Sequence, residues 1–169
     1  LALLAGDYDV ASMTGTIPHP YSEEMAGEWI ASVLAGEEGV VFAIIRSGAL
    51  IGCTGYRAFG PDHAELGYWI GKPYWGMGYA TEAVRELLRH CFQDLGVRRV
   101  TANCFLDNAT SWRLMERVGE YRHLAMWVHA CRAESCGTVR NGFGDKPVVH
   151  YQLDERDMKT IVRIAAFLD

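Results

Sequence analysis

The chain has 169 residues, half of them hydrophobic and 22% charged, which is enough for one well-cored domain and too little for two. Its 16 Lys and Arg against 21 Asp and Glu leave a net charge of -5, which argues against a broad phosphate-binding surface and therefore against nucleic acid as the main partner. The longest apolar run, Val40 to Ile45, is far below the roughly 20 residues of a membrane span, and no basic segment leads into an apolar one as in a secretory leader; a soluble, cytoplasmic protein without a membrane partner is expected.

In chain order, Leu1 to Met13 reads as a helix entered in mid-pattern, so an N-terminal strand is expected to be missing ahead of it. Ser22 followed by Glu23 and Glu24 is a helix cap with acids in the first turn. It predicts a helix over about 23–35 with Met25, Trp29, Ile30 and Val33 inward, stopped by Gly36. Val40 to Arg46 and Leu50 to Phe59 are β-rich runs joined at Ser47-Gly48, a hairpin signal, and Gly60-Pro61-Asp62 turns into a third strand, Ala64 to Ile70. A helix over about 78–94 follows, with Ala83, Leu87, Leu88 and Cys91 as its inner stripe and Gly96 as its stop. Val97 to Phe105 is strand-like and Ala109 to Val118 helical; Tyr121 to Arg132 and Pro147 to Leu153 read as late strands around a Gly-rich loop at 137–144. The fold class is α/β (α+β), with a mixed, mostly antiparallel sheet flanked by helices in a single domain.

The five cysteines (53, 91, 104, 131 and 136) form no CxxC pair, and three of them lie in apolar segments. They read as buried, inert thiols of a reducing compartment, which also speaks against a covalent acyl-cysteine route through Cys53 or Cys104. His19, Asp62 and His63 show no ligand spacing, so no metal is expected.

The junction WGMGYAT (75–81) carries more information. The free N–H groups of a helix's first turn, with the positive end of its macrodipole, form a seat for an anion. Gly76 and Gly78 let the backbone pass close to a phosphate group, and the small Ala80 leaves room beside it. A tight strand-to-helix turn holding nothing explains the two glycines equally well. No GxxxxGK[ST] is present, and GMGYAT lacks the third glycine of a dinucleotide fingerprint and follows hairpins instead of a βαβ unit.

Three segments in order, AELGYWI (64–70), WGMGYATEA (75–83) and DNATSWRLMERVG (107–119), resemble the consecutive signatures of the GCN5-related N-acetyltransferase (GNAT) superfamily, and in particular its RimJ/RimL-type branch. The resemblance is strong over about 40–119 and specific for the superfamily, while it says little about the substrate. It implies a GNAT-like fold and acetyl transfer from acetyl-CoA, as co-substrate, to a primary amine by direct attack in a ternary complex. The acceptor is then a peptide N-terminus or a small amine; a homodimer is compatible with the branch. The family's cofactor turn falls on Trp75, Gly76, Met77, Gly78, Tyr79 and Ala80, with Trp75 where Gln or Arg is usual, and Thr81 closing the pyrophosphate seat. The backbone around Trp69 and Ile70 is implied to bond the pantetheine arm, and Asn108 to border the cofactor. At Gly119-Glu120 the chain departs from the family, which usually has an aromatic residue directly after the glycine.

The chemistry needs a neutral amine, so a base or a water relay must take a proton. Glu65, on the strand that meets the cofactor, is the first candidate, since an acid stands there in much of the family; an ordinary outward carboxylate is its bland alternative. His129, in the late strand, is the rival base. The superfamily's usual tyrosine acid is replaced by Met115. By the branch's pattern Ser111 stands near the departing sulfur, with solvent or the amine's own proton as the alternative source. That missing tyrosine also keeps a second reading open, a non-catalytic acetyl-CoA-binding sensor or scaffold.

Overall fold

The computed structural model describes residues 1–105, 107–121, 125–131 and 148–154. Its first segment holds two short helices, α1 (Ala2–Ala5) and α2 (Tyr8–Ala11), where the sequence suggested one. The break follows from Asp7, whose carboxylate accepts the Asp9 N–H at 2.9 Å and starts a new helix. Helix α3 (Glu23–Leu34) begins where Ser22 predicts, with the Ser22 hydroxyl accepting the Met25 N–H. Its expected inner face is not buried. Ala26 is, while Met25 and Ile30 are exposed.

Strands β1 (Val40–Arg46) and β2 (Ala49–Ala58) form the expected hairpin. Ser47 and Gly48 both take positive φ, 48° and 77°, the conformation that suits the right-handed twist of a two-residue β-turn. β3 (His63–Ile70) adds antiparallel to β2. Helix α4 (Tyr79–Arg89) passes directly into a π-helical turn, His90–Asp94, and Gly96 at φ 68° ends it. β4 (Arg99–Phe105), α5 (Ala109–Tyr121), β5 (Ala125–Cys131) and β6 (Val148–Asp154) complete the order. The last two strands differ from expectation at their start: α5 runs on through Gly119 and Glu120 to Tyr121, so β5 begins at Ala125. The Gly-rich 137–144 stretch lies outside the described residues.

Among the described residues six strands form one sheet, in the order β1-β2-β3-β4-β6-β5. All neighbours are antiparallel except β3 and β4, so the mixed, mostly antiparallel sheet holds. One face of β3 and β4, with Ala64, Leu66, Val100, Ala102 and Cys104, packs against α4 and α5 through Val84, Leu87, Leu88, Cys91, Leu114, Met115 and Val118. Of the predicted stripe, Leu87, Leu88 and Cys91 are inside, and Val84 takes the place expected for Ala83. Met115 is 1% exposed, a core side chain with no room for a polar role. On the other face α1 packs beside β2 and β3.

Candidate functional site

The parallel pair β3/β4 opens partway along. Its register runs from His63 opposite Arg99 to Leu66 opposite Ala102 and stops there, while β3 continues to Ile70 and β4 to Phe105. Bonds of Phe59 N–H to the His63 carbonyl and of Gly71 N–H to the Ile51 carbonyl fix the alternation in the β2/β3 ladder. Odd-numbered β3 positions therefore bond β2, and even-numbered ones turn their N–H and C=O toward β4. Beyond Leu66 those even positions are Tyr68 and Ile70, which face the opening. Trp69 directs its main chain to β2, where it stands opposite Cys53. Of the two residues named from sequence for an amide-bearing arm, Ile70 has its backbone in the gap and Trp69 does not; Tyr68 stands there instead.

The gap leads to the start of α4. Gly76 and Gly78 have φ of 74° and 88°, and Gly78 is the N-cap in left-handed conformation with no side chain to cap the helix. The first intrahelical bond is Glu82 N–H to the Gly78 carbonyl, so the N–H groups of Tyr79, Ala80 and Thr81 have no helical acceptor. A Cβ at Gly76 or Gly78 meets nothing within 4 Å; the space over the turn is open, and only backbone conformation demands glycine there. Met77 is 56% exposed beside it. Trp75 donates its indole N–H to the Ile70 carbonyl at 2.6 Å, so the residue that departs from the family pattern pins the turn to the end of β3. Arg46, at the end of β1, lies over the Tyr79 ring, 5.3 Å from its centroid. A guanidinium held beside a positive helix end suits a site for an anion. An extended amide-bearing arm in the gap followed by a diphosphate at the turn fits this arrangement.

Two further clusters flank the gap on opposite faces of β3. On the face away from α4 and α5, Glu65 accepts a hydrogen bond from Asn103 Nδ2 at 3.0 Å, and His63 Nε2 lies 3.0 Å from Thr101 Oγ1. The β6 register sets His150 opposite Asn103, and His129 on β5 is opposite His150. The sheet thus joins Glu65 to Asn103 and places the rival base two strands beyond β4. On the α4/α5 face, Asn108 starts α5: its Oδ1 accepts the Ser111 N–H at 3.1 Å, and its Nδ2 donates to the Met13 carbonyl. Ser111 Oγ and the Tyr68 hydroxyl share a hydrogen bond of 2.6 Å. Burial pushes the Tyr68 hydroxyl up to about 12, partly offset by the bond to Ser111 and reinforced by nearby Cys104. Tyr68, Asn103 and Arg46 escaped the sequence reading. The YW pair in AELGYWI hinted at Tyr68, but Asn103 and Arg46 are placed only by strand register.

The remaining features match ordinary roles. Cys53, Cys91 and Cys104 are buried free thiols, and burial raises Cys53 and Cys91 to about 11. Among the described residues no cluster of His, Cys, Asp or Glu could hold a metal ion, and no helix is long and apolar enough to cross a membrane.

Comparison with known proteins agrees with this geometry. A family profile described as an acetyltransferase (GNAT) domain matches residues 1–120. The chain is 33% identical over 93 residues to the uncharacterized N-acetyltransferase YoaA of Bacillus subtilis, covering 53% of this chain and 52% of that protein. It is 31% identical over 81 residues to a ribosomal-protein-serine acetyltransferase of Escherichia coli, covering 47% and 45%. The matched stretches thus span about half the length of these curated relatives. Among solved structures it superposes on RimL, a ribosomal-protein alpha-N-acetyltransferase in complex with coenzyme A, with a TM-score of 0.68 at 18% identity over 89% of this chain and 82% of that one. At that identity the likeness concerns the fold.

Proposed function

The chain belongs to the GNAT acetyltransferase family, and on that premise we propose that it transfers an acetyl group from acetyl-CoA to a primary amine by direct attack in a ternary complex. The observation that carries this reading is the early end of the β3/β4 ladder at Leu66 and Ala102, continuous with the glycine-opened start of α4. In it the backbone of Tyr68 and Ile70 bonds the amides of the pantetheine arm. The N–H groups from Gly76 to Thr81 hold the pyrophosphate, with Trp75 fixing the turn and Arg46 adding a positive charge nearby. Asn108 shapes the far wall by starting α5.

The amine approaches on the Glu65 face. Glu65, oriented by Asn103, takes its proton directly or through a water. The new C–N bond forms as the C–S bond breaks, and the thiolate leaves on the other face, where the Ser111 hydroxyl donates a hydrogen bond to it. Coenzyme A thiolate is a fair leaving group, so holding the two reactants together can supply the larger share of the acceleration, about 7–11 kcal/mol at its upper range. The ribosomal-protein-serine acetyltransferase among the similar proteins supports the RimJ/RimL-type branch and, with it, a protein amine such as a peptide N-terminus as an acceptor beside small amines. Buried thiols fit a reducing, cytoplasmic setting.

The test is thiol release from acetyl-CoA in the presence of a panel of peptides with free N-termini, polyamines, aminoglycosides and amino acids. Acceptor-dependent release with an acetylated amine detected by mass is the expected result. Tight acetyl-CoA binding with no turnover on any acceptor would instead make the protein a sensor, the reading that Met115 in place of a tyrosine keeps in view.

A further inference from the structure

Ser111 as hydrogen-bond donor to sulfur raises a problem of direction. A serine hydroxyl has one proton and two lone pairs and rotates freely to suit its neighbours. Near an asparagine cap and an aromatic hydroxyl it can spend that proton inside the protein, where it is useless to a departing thiolate. Among the described residues the hydroxyl has one hydrogen-bond partner, Tyr68, at 2.6 Å, a separation at the short end for two oxygens. The Asn108 side chain is committed elsewhere, accepting the Ser111 backbone N–H and donating to Met13. What decides the direction of the Ser111 proton is therefore the Tyr68 hydroxyl.

We propose that Tyr68 is a positioning residue for acetyl transfer: its O–H donates to Ser111 Oγ and thereby leaves the Ser111 proton to point at the sulfur in the β3/β4 gap. This rests on the acetyl-transfer reading given above. Tyr68 suits the part. Its ring packs against the core formed by α4, α5 and the sheet, so the hydroxyl is held in one place. Its acidity is suppressed by burial, so it remains a donor throughout the physiological range. Tyr68 is also one of the two residues whose main chain faces the gap, so one residue couples the grip on the pantetheine arm to the aim of Ser111. No proton leaves Tyr68 in the cycle. The amine proton departs through the Glu65 face, and the thiolate is stabilised by a hydrogen bond without needing to take the serine proton.

The experiment follows thiol release from acetyl-CoA with hydroxylamine as acceptor. Hydroxylamine is already neutral near neutral pH, so no base is needed to free its lone pair for attack. Ser111→Ala should lower kcat about a hundredfold, and Tyr68→Phe about tenfold, with the acetyl-CoA KM unchanged in both. The double variant should be no slower than Ser111→Ala alone, because Tyr68 acts only through Ser111. All four proteins are assayed well below their unfolding midpoints, so a purely structural loss shows in the midpoint and not in kcat. Full kcat in Tyr68→Phe, or a double variant slower by the product of the two losses, overturns the Tyr68 proposal while leaving acetyl transfer intact. Full kcat in Ser111→Ala overturns the Ser111 reading beneath it, and absence of accelerated release by the parent protein with hydroxylamine and with every acceptor of the panel above overturns both together with acetyl transfer.

Discussion

At the scale of single residues, Glu65 shows how a strand decides what a carboxylate can do. Alternation along β3 sends Ala64 and Leu66 into the core and Glu65 to the opposite face, where Asn103 from β4 steadies it. If Glu65 removes the amine proton, Glu65→Gln will lower kcat/KM by about 10²-fold or more and abolish its acidic limb. An unchanged pH profile would move the role to water or to His129. The sequence made Gly76 and Gly78 readable because positive φ has one cheap solution. Tyr68 was not readable as a partner of Ser111, since 43 residues separate them and only the docking of α5 on β3 brings them together. Trp75 changed meaning most: a departure from the family pattern proved to be a hydrogen-bonded strut to Ile70.

At the scale of elements, local signals held where chemistry is local. The Ser22 cap and the Ser47-Gly48 turn are found where the sequence placed them. Failures came where two local signals competed or tertiary packing decided. Asp7 capped a second helix inside what looked like one, and α5 kept its helical period through Gly119, displacing β5. Helix α3 carries apolar residues at helical spacing, yet Met25 and Ile30 stay exposed, which periodicity alone could not reveal. The β1/β2 hairpin also reaches the proposed diphosphate turn through Arg46, which stacks on Tyr79. Arg46→Ala is expected to raise the acetyl-CoA KM several-fold, up to about tenfold, without changing kcat. The difference should shrink as salt is raised, because the contact is exposed. Equal KM values at low salt would remove Arg46 from the site.

At the scale of the molecule, the same packing that assembles the site also sets its pH limits. Burial raises Cys53 and Cys91 from 9.0 to about 11 and Tyr68 from 10.0 to about 12. On unfolding these groups return to their ordinary values, so above pH 9 the unfolded chain binds fewer protons than the native one and stability falls as pH rises. The loss should begin near pH 9 and continue to about 12, and a variant with Cys53 and Cys91 both changed to Ala should show a shallower fall of the unfolding midpoint between about 9 and 11. Identical slopes would mean the thiols are not protected as the structure has them. On the proposed reading one continuous surface, the β3/β4 gap and the glycine turn, binds acetyl-CoA from thioester to diphosphate. Calorimetric titration of the parent protein and Gly78→Val with acetyl-CoA and with acetyl-pantetheine, which lacks the diphosphate and the phosphoadenosine beyond it, tests it most directly. The parent should bind acetyl-CoA at least about tenfold more tightly than acetyl-pantetheine, and Gly78→Val should remove most of that difference while leaving acetyl-pantetheine binding as it was. Equal weakening of both ligands, or of neither, would contradict the assignment and return the turn to a merely structural role.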